Sequence, residues 1–414
     1  MSASRVGRKR GRNLVRTAGA TAGAAGAGRV NYVDGLRALA ALYVLVHHAI
    51  LQYYQPWGVL PNSAVVKGAI GFFNYGRFAV DTFIVISGFC LALPVIKAQG
   101  LLTGGAATFF KRRVRRIVPT YYASLLLCLL LIATVIGEKT GTHWDVSTQV
   151  TGGGLLAHLL LLQDVFYAKV GGQINHVFWS IAVESHIYLL FPGIVWLWAR
   201  RGINAVLLAT GVIGLGLGWW AHGTALEGVN PQYLFLFGLG VAAAEAAYGR
   251  NAFSSLAPRR WFLIAAVAAI PPLVVAFRGP WTVVSKFWIY LDPFWGLASA
   301  ALLAGLGRAK SGLLRGGVEL APLRWIGAFS FSLYLIHAAL LQIVWLVLNR
   351  TTSLSYPAAF GVSLVLGLPL IVVASWLFYL LFEKPFLPPP ASAKRKAPIP
   401  VLGQSAGGVA ARSE

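Results

Sequence analysis

Arg37 and His48 lie eleven positions apart, a step of about three helical turns that puts both side chains on one face about 17 Å from each other. A guanidinium binds anions, phosphate above all, through paired donors, and an imidazole with an ordinary pKa of about 6.5 moves protons near neutrality. Asp34, three residues before Arg37, is placed to pair with and orient it. Further on, Arg77 and Asp81 are four apart and expected to pair, and Ser87 follows on the same segment. Glu184 precedes Tyr188 by one turn; Ser330, Tyr334 and His337 share a helical face; Glu383 stands alone near the end. The run Lys111-Arg112-Arg113-Val114-Arg115-Arg116 concentrates cationic charge, which serves either as a phosphate cradle or only as a topology signal. The set combines anion binding with acid–base or nucleophilic chemistry.

The elements that must hold these residues are apolar. Of 414 residues, 57% are hydrophobic and only 11% charged, where a soluble domain carries about 25% charged. Runs of about 20 apolar residues match a bilayer core, in which only a helix satisfies its own backbone. The fold class is therefore all-α, a polytopic bundle of about ten spans, expected at 35–55, 76–96, 117–137, 177–198, 203–221, 231–249, 261–277, 286–307, 326–348 and 359–382. With the N-terminus in the cytoplasm, 28 of the 35 Lys and Arg fall on the inner side, as the positive-inside rule requires. Both termini are then cytoplasmic, in a multi-pass protein of the cell membrane. The net charge of +23 thus reflects topology and argues against nucleic acid as a partner.

Residues 1–30 read as a disordered basic and Ala/Gly-rich arm, 31–387 as one transmembrane domain, and 388–414 as a disordered cytoplasmic tail. The stretch Thr17 to Gly28 lacks the apolar core of a cleaved leader. Glu138 to His176 is the longest outer loop, and its apolar piece Leu155 to Leu162 is too short to cross. Cys90 and Cys128 make no metal spacing, so no metal and no bound cofactor are expected.

Topology converts these positions into depths. Arg37, Glu383 and the Lys111–Arg116 run fall at the cytoplasmic face, His337 near mid-membrane, and His48, Asp81 and Glu184 in the outer part. Two polar stations are expected, an inner cationic one and an outer His/carboxylate one. His47, His143, His158, His176, His186 and His222 read as structural or solvated, and Tyr188 as an interfacial anchor. Charged groups in a bilayer are costly and face partners or cavities, which fits an enzyme, a transporter or flippase with a polar pathway, or a scaffold.

Taken in order, the motifs resemble those of the acyltransferase-3 family of integral membrane acyltransferases, over about residues 31–387. They are Asp34-Gly35-Leu36-Arg37 with His48 after ten intervening residues; Val80-Asp81-Thr82-Phe83 leading to Ser87-Gly88-Phe89; the pairs Arg112/Arg115 and Arg113/Arg116 before Ile117-Val118-Pro119; Trp179-Ser180 to Glu184; Ser332 to His337; and Glu383-Lys384-Pro385. One departure is Ser185-His186-Ile187, where relatives commonly carry a second acidic residue and an aromatic. The resemblance implies transfer of an acyl group, often acetyl, from cytoplasmic acyl-CoA as co-substrate to a hydroxyl of a sugar, glycan or lipid-linked acceptor. Some relatives carry a fused extracytoplasmic hydrolase-like domain; the chain ends about thirty residues after its last expected span, so none is expected here.

On that basis Arg112, Arg113, Arg115 and Arg116 are expected to hold the phosphates of acyl-CoA, with Arg37 at the entrance of the pantetheine path. His48 is expected to act as general base, oriented by Glu184 or Asp81, or to carry the acyl group covalently. Arg77, Ser87 or Tyr334 would contact the oxyanion or the acceptor, and His337 and Glu383 complete the substrate-binding set.

Overall fold

The computed structural model describes residues 30–54, 64–73, 75–249, 252–278 and 286–387. The expected arm, up to residue 29, and the expected tail lie outside them. Within Val30–Leu387 the described residues form helices and connecting turns, with no strand. We label the long helices α1 (Asn31–Tyr53), α2 (Gly76–Lys97), α3 (Gly105–Ile136), α4 (Trp179–Ala221), α5 (Tyr233–Tyr248), α6 (Pro258–Arg278), α7 (Trp288–Arg308), α8 (Ser330–Thr351) and α9 (Tyr356–Phe382).

Among the described residues, eight of these are long and apolar enough to cross a membrane. The difference from the expected ten has two sources. The expected spans 177–198 and 203–221 are one 43-residue helix, α4, which at about 1.5 Å per residue is about twice the bilayer core. It is broken at Gly202, whose φ of 79° leaves the helical region in a way only glycine adopts without strain. The expected span 231–249 is α5, apolar but only 16 residues long. The chain is a multi-pass helical membrane protein.

Two features of the bundle position the site. First, α2 and α5 cross with their backbones in contact. A Cβ on Gly88 would lie 2.1 Å from the Phe237 carbonyl oxygen, and one on Gly240 2.0 Å from that of Val85. In lipid, where apolar burial gives helices little drive to associate, such small-residue contacts supply the packing. Second, α3 begins twelve residues earlier than the expected 117, so the basic run is helical. Helical phase then separates its members: Arg113 and Arg116 are half-buried on one face, while Lys111, Arg112 and Arg115 are exposed on the other.

The segment between α3 and α4 folds back into the bundle. Trp144 is fully buried and its indole donates to the Ile136 carbonyl (3.0 Å). The Asn175 amide donates to the Leu335 carbonyl of α8 (2.9 Å), and the Gln163 amide to the Phe178 carbonyl (2.9 Å). The expected short apolar piece is the helix Gly152–Leu159, capped by the Thr151 hydroxyl, which accepts from the Gly154 amide (3.0 Å).

Candidate active site

Two cavities meet at a wall formed by Val80 of α2 and Tyr334 of α8, which line both. The first, of about 90 Å³, is lined by Arg37, Arg113, Arg116, Ser87, Glu184 and Tyr188, with Cys90 and Ser330 beside them. The second, of about 650 Å³, is lined by His48, His143, His176, Arg77, Trp179 and Trp288 among others. Because α1 carries Arg37 into one and His48 into the other, this single helix joins the two polar stations.

The first cavity holds cations in excess. Arg37 Nε donates to Ser330 Oγ (3.2 Å), which itself donates to the Gly327 carbonyl. Arg113 Nε is buried without a hydrogen-bond partner, and Arg116 has Arg37 and Arg113 as charged neighbours. Three guanidiniums and one carboxylate, Glu184, line the cavity, with Glu383 and Asp34 in its surroundings. Ser332 Oγ donates to Glu383 Oε2 (2.5 Å), and Arg116 and Arg37 are its opposing charges. Such an enclosed positive excess attracts an anion. Arg112 and Arg115 do not reach this cavity, because their phase on α3 turns them outward.

Glu184 lies with these arginines and not beside His48, as the depths reckoned from sequence had it. The cause is the folded-back segment: Asn175 hydrogen-bonds at the level of Leu335, so α4 starts well inside the bundle and Glu184 sits one turn deeper still. Tyr188 donates to Glu184 and is itself bonded to Ser87 Oγ (2.6 Å). Tyr188 is thus buried in the cavity wall and is no interfacial anchor.

His48 is held by other groups than the expected carboxylates. Its Nδ1 lies 3.0 Å from the Val44 carbonyl and 3.0 Å from His337 Nε2. His337 Nδ1 lies 2.7 Å from the Tyr334 carbonyl. Carbonyls only accept, so each Nδ1 carries the proton, His48 donates to both acceptors, and the lone pair of His48 resides on Nε2. Tyr334, whose hydroxyl donates to the Val177 carbonyl (3.1 Å) and meets Ser180 Oγ (2.7 Å), stands one turn from His337 in the dividing wall.

Arg77 pairs with Asp292 of α7 and not with Asp81. Its Nε lies 3.1 Å from Asp292 Oδ1 and its second nitrogen 2.8 Å from Oδ2, with a further bond to Asn230 Oδ1 (2.6 Å). A carboxylate on a facing helix meets the guanidinium fork side-on, through Nε and one terminal nitrogen, in the two-bond geometry that makes such pairs strong. The rings of Trp179, Tyr233 and Trp288 surround the cation at 5.1–5.9 Å. Asp81 is fully buried beside Arg77, Asp292 and Tyr233.

Sequence reasoning missed His143, His176 and Asp292. The two histidines come from the folded-back segment and stand with their ring centroids 6.1 and 5.0 Å from that of His48. Burial holds the His143 imidazole down to about 4; burial, with His143 alongside, holds that of His176 well below the usual histidine range. A usable signal existed: that loop carries three of the chain's eight histidines, and Asp292 is a solitary carboxylate in an apolar helix.

Comparison with known proteins bears directly on this arrangement. Residues 30–380 match the acyltransferase-3 model, described as an acyltransferase domain. The peptidoglycan O-acetyltransferase OatA of Listeria monocytogenes is 24% identical over 345 residues, covering 77% of this chain and 50% of the relative. The acyltransferase MdmB of Streptomyces mycarofaciens is 27% identical over 334 residues, covering 75% and 78%. The O-acetyltransferase OatA of Staphylococcus aureus is 26% identical over 198 residues, covering 45% and 28%. The chain thus spans about half the length of the Listeria relative and less of the staphylococcal one. No solved structure matches it. With that model matching from the first turn of α1 into α9, the chain belongs to the acyltransferase-3 family of membrane acyltransferases.

Proposed function

We propose that this protein is an acyl-CoA-dependent O-acyltransferase that takes an acyl group, acetyl in the first instance, from the cytoplasmic face and delivers it to a glycan hydroxyl on the outer side. One observation carries the reading: α1 sets a guanidinium in a cationic cavity and an imidazole with a free lone pair in a wider one, about three turns apart. The excess of Lys and Arg in the segments read as inner, under the positive-inside rule, would put the cationic cavity toward the cytoplasm.

Arg113, Arg116 and Arg37 would then hold the phosphates and guide the pantetheine arm, while Arg112 and Arg115 attract acyl-CoA from the exposed face of α3. The thioester carbonyl passes the Val80–Tyr334 wall and meets His48. His48 Nε2 takes the proton of the acceptor hydroxyl, whose oxygen attacks the thioester carbon; the C–S bond breaks and the CoA thiolate leaves with the proton. His337 fixes the His48 tautomer and shares the imidazolium charge, the task a carboxylate performs in a triad. Tyr334 and Ser87 line the acyl path, and Tyr334 would donate to the oxyanion by turning its hydroxyl away from the Val177 carbonyl. Arg77, locked by Asp292 and flanked by Trp179 and Trp288, forms a platform for a sugar ring. The name of the Listeria relative supports a cell-wall glycan as acceptor.

The purified chain in nanodiscs, given acetyl-CoA and a glycan acceptor, is expected to release free CoA thiol in step with acetylated product, and His48→Ala to do so at least about a hundredfold more slowly. Full transfer by His48→Ala would end the catalytic assignment. The flippase reading predicts the opposite pattern, movement of the glycan without CoA release.

A further inference from the structure

The wider cavity carries a feature that acyl transfer does not require. His48, His143 and His176 come from three separate elements, and one ring nitrogen from each lies within 4.8 Å of the others. Two of the three rings are oriented through Nδ1. His48 Nδ1 donates to the Val44 carbonyl, and His176 Nδ1 meets Ser147 Oγ at 2.9 Å, a hydroxyl that the His176 amide also fixes (3.0 Å). Metal-ligating histidines are oriented in this manner, with an outer partner setting the tautomer. The remaining nitrogen of His176, Nε2, is buried and has no hydrogen-bond partner, an unsatisfied polar atom of the kind that calls for a ligand.

We propose that His48, His143 and His176 bind a borderline divalent transition-metal ion of the Zn²⁺ class, and that this ion arrests acyl transfer by occupying the His48 lone pair. Three neutral imidazoles select such ions over Mg²⁺ or Ca²⁺, and the cavity leaves the fourth position open to water or an acceptor hydroxyl. Tetrahedral Zn–N bonds of about 2.0–2.1 Å put ligand nitrogens about 3.3 Å apart. The observed spread of up to 4.8 Å would therefore close by rotation of the rings on binding. No bond breaks or forms in the chain, and only coordination changes. The binding half of the proposal is independent of the acyltransferase mechanism; the arrest half rests on His48 being its base.

The test is a Co²⁺ titration of the purified full chain in detergent, read by visible absorption and by competition with Zn²⁺. Wild type is expected to give a tetrahedral Co²⁺ spectrum that Zn²⁺ abolishes. His143→Ala, which removes a ligand that makes no hydrogen bond, is expected to weaken binding by tenfold or more; His158→Ala, a buried histidine outside the cluster, leaves it unchanged. X-ray absorption of the Zn²⁺-loaded wild type, expected to show three imidazoles, keeps the test independent of whether a variant folds. Transfer activity should fall with Zn²⁺, recover with a chelator, and resist Zn²⁺ in His143→Ala relative to its own metal-free rate. Absence of the Co²⁺ spectrum, or equal affinity in His143→Ala, overturns the site. Binding without loss of transfer overturns the arrest. A chain that binds Co²⁺ yet never transfers acyl groups keeps the metal site and refutes the mechanism instead.

Discussion

At the scale of single residues, the base role proposed for His48 rests on what lies behind it. The Val44 carbonyl and His337 Nε2 both accept from Nδ1, so the nitrogen facing the wide cavity is the basic one. Removing His48 should cost about 10²–10⁴ in kcat, the usual worth of a general base. His337→Ala should cost less, about tenfold, since one hydrogen bond contributes about 1 kcal/mol; kcat would fall while the KM for acyl-CoA holds, and equal losses in both would contradict a positioning role. The Arg77–Asp292 pair has structural weight. Breaking a buried ion pair by removing one partner costs about 3–5 kcal/mol, so Asp292→Ala should lower the thermal midpoint in detergent by several degrees, with Asp292→Asn retaining part. These roles were unevenly legible. Arg37 and His48 could be phased along one helix from spacing alone. The partner of Arg77 could not, because a guanidinium chooses between a carboxylate on its own helix and one on a neighbour by geometry that spacing does not carry.

At the scale of elements, α3 is the sharpest test of helical phase. Its basic run presents Arg113 and Arg116 to the cavity and Arg112 and Arg115 to the exterior. Replacing the first pair by alanine should raise the KM for acyl-CoA more than tenfold, as expected when charge-assisted bonds worth about 1.5–3 kcal/mol are lost. Replacing the second pair should change it by no more than about twofold; the reverse order would refute the assignment. The α2–α5 crossing makes a separate demand. Gly240→Val puts side-chain atoms where the Val85 carbonyl stands, and such overpacking costs about 1–3 kcal/mol or more; size-exclusion profiles should show loss of monodisperse protein. Long apolar helices and their order were readable from the sequence. The path of the segment between α3 and α4 was not, since it is set by Trp144, Gln163 and Asn175 hydrogen-bonding into the bundle. That path is what brings His143 and His176 to His48 and seats Glu184 with the arginines.

At the scale of the whole molecule, the proposed mechanism gives the membrane a part in the chemistry through its two cavities. The cationic cavity suits a soluble, polyanionic donor, and the aromatic, histidine-lined one suits a hydroxylated acceptor. Val80 and Tyr334 form the wall between them, which on the proposed mechanism the thioester would pass and the sugar would not. Donor and acceptor then need never share a compartment. Sealed inside-out vesicles with a glycan acceptor trapped in the lumen and labelled acetyl-CoA added outside measure this directly. Label should appear on the trapped glycan with the wild-type protein and be absent with His48→Ala. Label confined to acceptor added outside, or equal labelling by His48→Ala, would contradict transfer through the membrane domain.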